Sequence, residues 1–255
     1  MTTKATTGVT LATGTASLAL AAADDAFNTL KTYDWGADPA SLKAIDDAII
    51  ATQGDAAGRN AIEKRLLDAA NGGISRSALD YVCRRLRIVG TARSVPTLAA
   101  LLADEKTSHI ARYALERIPD EAAAAALRDA LPKVDGKLKP GMIGSLGTRR
   151  DAQSIKALAK YLGDSDMLIA KAAAQSLSLI GTPAAADELA AFAKNAPAQM
   201  KMPIADARLT CAERLLADGN KAAALAIYKA LNASTQPTPV RTAAMKGMVN
   251  AATQR

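Results

Sequence analysis

Residues 81–131, YVCRRLRIVGTARSVPTLAALLADEKTSHIARYALERIPDEAAAAALRDAL, decide the fold. They read as one apolar helical segment after another, each stopped by a short Gly, Pro or Asp turn. Ile110, Tyr113, Ala114 and Ile118 recur at three- and four-residue spacing, so one stripe of each helix is buried. The same grammar runs to the C-terminus. Turn positions 90, 119, 147, 181 and 219 are separated by 29, 28, 34 and 38 residues. After each turn comes a short helix rich in alanine and leucine, such as SVPTLAALLAD, and then a second helix, such as SHIARYALERI. A helix pair of this size cannot bury its apolar face alone, so stacking on its neighbours is obligatory.

Composition agrees with stacked layers. At 255 residues the chain is long for one compact core, yet no shift in composition divides it. Apolar residues make up 49% and aromatics only 3%. Alanine supplies much of the apolar set; it is the best helix former and lets helices approach closely. Valine and isoleucine never gather into alternating runs, so no strand is expected. No run is long and apolar enough to span a membrane. The formal charge is +7 and the isoelectric point about 9.4. That balance admits a nucleic acid, an anionic lipid surface or an acidic protein as partner, and equally a basic protein with none of these. Cys83 and Cys211 fall on apolar helical positions far apart in the chain and are expected to pack as small hydrophobes, out of disulfide reach.

Residues 1–23 stand apart. Lys4 is their only charge, Val9 to Ala23 is apolar or small, and Ala21-Ala22-Ala23 precedes Asp24-Asp25. That order fits a signal peptide cleaved after Ala23, and hence a periplasmic or secreted protein; the alternative is a disordered tail on a cytoplasmic one. Residues 24–73 are expected to form an N-terminal cap and the first helix pair. Phe27, Leu30, Tyr33 and Trp35 supply the cap's bulk, and the pair's helices run on either side of Gly54 and stop at Asn71-Gly72-Gly73. Trp35 beside Tyr33 could instead be a ligand platform, but packing in the cap is the commoner use of such residues.

"IVGTARSVPTLAALLAD…ARYALERI" (88–118) and "SLGTRRDAQSIKALAKYLGDSDMLIAKAAAQSLSLIG" (145–181) resemble HEAT repeats, particularly the short bacterial kind also found in phycobilin-lyase-type proteins. Asp164, Lys171 and Ala173–Gly181 match the pattern of a turn aspartate, a basic residue on the second helix and a closing A-x-x-A-L-x-x-I-G. The likeness thins at residues 137–147, where Pro140, Gly141 and Gly144 make a poor helix, and residues 207–255 are partly similar to tetratricopeptide units. The resemblance implies an all-α fold: a single right-handed α-α superhelix over residues 24–255, a HEAT/armadillo-like solenoid of about six to seven helix pairs.

Chemistry-bearing patterns are scarce. His109, the lone histidine, sits near a helix start in SHIARYALERI, and no Ser-His-Asp or Cys-His set can be assembled around it. CxxC, HExxH, EF-hand and CxxCH patterns are absent, so neither metal nor cofactor is expected. The adjacent pairs Asp24-Asp25 and Asp46-Asp47 diverge around a helix and read as solvated faces. The second helices and their turns carry most of the excess Lys and Arg. Arg84, Arg85, Arg112, Lys139, Lys171, Arg208 and Arg241 occupy comparable positions on them. Such a row forms either a partner-binding groove or a ladder of ion pairs, for instance with Asp104 and Asp164, that holds layers in register; the ladder is the more economical reading. Three functions are compatible. A non-catalytic protein-binding scaffold, monomeric by default, needs no special residue and comes first. DNA binding along a basic groove is second, and a lyase-type enzyme, by fold analogy alone, is third.

Overall fold

The structure is a computed structural model that describes residues 18–253. Most of the leader-like stretch therefore lies outside the described residues; at its end, residues 18–22 are helical and Ala23 is buried. Every regular element among the described residues is helical, and none is long and apolar enough to cross a membrane.

The helices come in successive pairs. They are α1 (Asp24–Leu30) and α2 (Lys43–Ala51); α3 (Ala56–Asn71) and α4 (Arg76–Val89); α5 (Val95–Ala100) and α6 (Ser108–Leu115); α7 (Glu121–Ala130) and α8 (Leu138–Thr148); α9 (Ile155–Lys160) and α10 (Met167–Ile180); α11 (Pro183–Ala193) and α12 (Ala198–Ala217); α13 (Lys221–Leu231) and α14 (Thr238–Thr253). Contacts divide the chain into two units, Met1–Ala126 and Leu127–Arg255. In the first, α4 packs on α3 and then on α6; in the second, α8 on α10, α10 on α12 and α12 on α14. Elements pack in chain order, as the repeat pattern requires, and the all-α solenoid class read from the sequence holds. The phase differs in one place. Helix α3 packs chiefly on α4, so it opens the second pair instead of closing the first.

Local chemistry sets the boundaries. Asp55, Ser75, Asp166, Thr182 and Asn220 stand at N-caps and accept hydrogen bonds from first-turn N–H groups. Gly181 closes α10 at φ 63°, a conformation that glycine adopts without strain. The cores are aliphatic: Leu42, Ile45, Ile62, Leu66, Leu86, Leu98 and Leu115 in the first unit are all fully buried, as are Leu146, Leu158, Leu177 and Leu189 in the second. Cys83 and Cys211 pack among them as free thiols; burial pushes the first up to about 12 and the second to about 11.

Helix α8 forms despite Pro140, Gly141 and Gly144, because Pro140 sits in its first turn, where the missing N–H would have no intrahelical partner. The glycine that matters is Gly147. A Cβ there would lie 2.6 Å from Ser176 Cα and 2.7 Å from its Cβ. Alongside, the Ser176 hydroxyl donates to Ile143 O at 2.9 Å, so α8 and α10 touch almost backbone to backbone.

Buried polar clamps join successive first helices. Glu63 on α3 has no exposed surface. Its carboxylate accepts from Thr91 N (2.7 Å), Thr91 Oγ1 (2.8 Å), Ser94 Oγ (2.7 Å) and Arg93 Nη2 (2.9 Å), which fixes the 3₁₀ turn Ala92–Ser94 that opens the next layer. Sixty residues on, the turn Ala152–Ser154 repeats the design with the charges reversed. There Arg128 donates to buried Asp151 at 2.6 Å, and Ser154 is as buried as Ser94.

Two expectations follow. Gly147→Ala lowers stability by about 1–3 kcal/mol through overpacking against Ser176, whereas Gly144→Ala, with nothing within 4 Å of the new Cβ, raises it by up to about 1 kcal/mol; paired melting curves decide. For Glu63, burial raises the carboxyl pKa, but the Ser94 and Thr91 hydrogen bonds and the Arg93 charge outweigh it, so the folded value lies below the ordinary one. Glu63 therefore contributes stability that is fully present above the ordinary value of 4.5 and is lost as pH falls through the depressed folded value. Glu63→Gln is expected to cost about 2 kcal/mol at neutral pH and to flatten this acid limb in urea titrations.

Candidate functional site

The basic row does not act as one surface. In the first unit, Arg85 is committed to packing. Its Nε and Nη2 each donate to Asp46 at 2.8 Å, its guanidinium lies 3.6 Å from the Tyr81 ring centroid, and the Tyr81 hydroxyl donates to Leu42 O at 3.0 Å. This ties α4 to α2. Asp46 is thus an inter-layer acceptor, not a residue of a solvated face. Asp24 likewise pairs with Arg65 at 2.7 Å. Arg84 is more exposed; it pairs with Asp80 one turn back at 2.7 Å and lies 5.5 Å from the Tyr113 ring. Arg112 is half-buried, and burial holds its guanidinium below its ordinary value.

In the second unit, Lys139 pairs with Asp135 at 2.9 Å and faces the Tyr161 ring at 5.5 Å. Lys171 and Arg241 are exposed on α10 and α14. Arg208 lines a cleft of its own. Of the row, Arg85 makes the expected kind of inter-layer pair, with Asp46, whereas Arg84 and Lys139 pair with acids four residues back. Asp104 and Asp164 instead accept backbone N–H groups two residues on, shaping their own turns. Arginines also cap carbonyls about one repeat away: Arg59 reaches Ile88 O, Arg76 reaches Lys106 O, and Arg150 reaches Ile180 O while also pairing with Asp218.

The site that emerges in the first unit is a cleft of about 440 Å³ whose wall includes Tyr33, Trp35, Pro39, Arg76, Tyr81 and Arg84. Phe27 and Leu30 bury as the cap predicts, but Trp35 is 94% exposed. The cap reading fails for it because Asp34-Trp35-Gly36 is a turn: Gly36 adopts φ 87°, and Ala37 N donates to Asp34 O. The turn is held from below by Ser75 Oγ, which donates to Tyr33 O at 2.7 Å. Asp34 and Asp80 also line the cleft. The Trp35 N–H, then Ser77 and Ser75, hold the Asp34 carboxyl below the usual range, so it stays charged at ordinary pH. The cleft therefore offers two faces to a ligand: an uncovered aromatic ring and a mixed set of charges. Sequence reasoning named a ligand platform at Trp35 and Tyr33 but ranked it second, weighing Trp35 as bulk. The signal was the lack of apolar neighbours in DWGADP, which gives the ring nothing to pack on.

The family of HEAT repeats matches residues 134–207, the segment that runs from α8 through α11 into the first half of α12 and includes the tight Gly147–Ser176 contact. That stretch, under a third of the chain, is similar to HEAT repeats. No curated protein matches the chain. Among solved structures, the crystal structure of an engineered protein is similar at 18% identity and a TM-score of 0.44, over 91% of this chain and 69% of that one.

Arg84 and Arg85, adjacent in sequence, should separate cleanly. Arg85→Ala is expected to cost about 2 kcal/mol, because it strips a bidentate partner from Asp46 and uncovers Tyr81. Arg84→Ala should cost about 0.5 kcal/mol or less, as exposed pairs within one helix do. Urea denaturation of both variants measures the difference.

Proposed function

We propose that the chain is a non-catalytic protein-binding module whose partner docks on the cleft around Trp35. HEAT repeats serve generally as interaction modules, and the observation that carries the finer reading is the 94% exposure of the chain's single tryptophan beside Tyr33 and Arg84. Trp, Tyr and Arg are the residues that dominate binding energy when a partner desolvates them. A large ring left in water on a turn fixed by Ser75 is already in place, so little ordering entropy is lost on docking. Asp34 and Asp80 in the same wall favour a protein of mixed charge over a polyphosphate backbone, which they would repel. The basic row gives the nucleic-acid alternative little support, since Arg85 and Lys139 are spent on acids of this chain. We also propose that residues 1–23 direct export, which places the partner outside the cytoplasm; the N-terminal mass of the protein from its native host tests that point.

Trp35→p-benzoylphenylalanine is expected to crosslink one discrete protein in native-host extracts, while the same photoprobe at Lys171 does not. Trp35→Ala should then weaken binding of that protein by about 2 kcal/mol, roughly thirtyfold, with the melting temperature unchanged. Equal crosslinking at both positions, or full affinity in Trp35→Ala, overturns the reading. A shift with duplex DNA that collapses as salt rises would restore the alternative.

A further inference from the structure

The second unit holds a separate cleft of about 500 Å³, within the size range of small-molecule sites. One wall is the face of α12 that carries Lys201, Ile204, Ala205 and Arg208, residues spaced by three and four so that they share a side of the helix. The other is built from the end of α11 and the turn between α13 and α14, including Leu231 and Pro237. Three cations line the cleft, Lys194, Lys201 and Arg208, and no Asp or Glu does among the described residues.

Charge and burial together narrow the ligand. Arg85, Arg128 and Arg150 spend their guanidinium groups on carboxylates or carbonyls of this chain. Arg208 has no ion pair among the described residues, and it is half-buried. Burial holds its guanidinium below its ordinary value, with only Cys211 opposing. A partly desolvated cation without a countercharge is an unfavourable arrangement that an incoming anion relieves. A bare inorganic anion would leave Met202, 41% exposed, and Pro237 facing water; a chain attached to the anion would cover them.

We propose that this cleft binds an alkyl carboxylate, its head on the Arg208 guanidinium between Lys194 and Lys201 and its chain against Met202 and Pro237. The planar fork of arginine matches a carboxylate through two parallel hydrogen bonds, and the two lysines at the rim steer the anion in. This site is independent of the Trp35 cleft and stands if that reading falls.

Decanoate, used below its micelle-forming concentration, is the probe. Amide NMR of the full chain should show saturable shifts at residues 193–208 and 231–237. Decanol should bind at least tenfold more weakly, and decyltrimethylammonium not at all. Arg208→Gln should lower decanoate affinity at least tenfold without lowering the melting temperature, since it removes a buried charge that has no partner. Met202→Glu, at a position 41% exposed, sets a competing carboxylate in the cleft and should block decanoate while the fold persists. Equal affinity for decanoate and decanol overturns the proposal, as do undiminished binding by Arg208→Gln and shifts centred outside the two segments.

Discussion

A carboxylate with no exposed surface sets the terms for the first unit. Burying Glu63 is unfavourable unless its lone pairs are met, and Thr91, Ser94 and Arg93 meet them from the following layer. The arrangement gives a direction that the apolar cores lack. Leucine against alanine tolerates sliding, whereas four hydrogen bonds to one carboxylate define a single register. Arg128 and Asp151 pair in the second unit with acid and base exchanged, and there Ser154 donates to the Asp151 backbone carbonyl instead of to the carboxylate. Arg85 on Asp46 and the arginine-capped carbonyls extend the principle to the second helices.

The spacing of Gly, Pro and Asp turns made the helices, their order and their stacking legible, because a thin amphipathic pair admits no other way to hide its stripe. The phase of the first pair was not legible. Both α2 and α3 carry apolar stripes, and only the contacts between α3 and α4 show which pair α3 belongs to. Gly147 reads only as a turn position because its reason for being glycine lies on another helix, at Ser176. Pairing across a repeat is equally hidden: nothing in the sequence marks Glu63, and Asp46 reads as half of a solvated pair.

The sites were legible in part. Arg84, Arg85 and Arg208 were singled out together on position alone, yet the structure gives them three different roles: a cleft wall, a clamp and a cation without an acid. What separates them is where a carboxylate lies: on the neighbouring layer for Arg85, on its own helix for Arg84, and in no ion pair for Arg208. Trp35 illustrates the reverse case. Its exposure follows from a local turn that the sequence does spell out, in Asp34 and Gly36, once bulk is no longer taken as proof of burial.

The two cysteines have a use that follows from their placement. One lies in each unit, both thiols are free and buried, and burial keeps both protonated at neutral pH, where neither reacts quickly with alkylating reagents. Each can be labelled only when its surroundings open. The chain thus carries a built-in pair of clocks, Cys83 timing the opening of the first unit and Cys211 that of the second, with no label to introduce and no residue to replace.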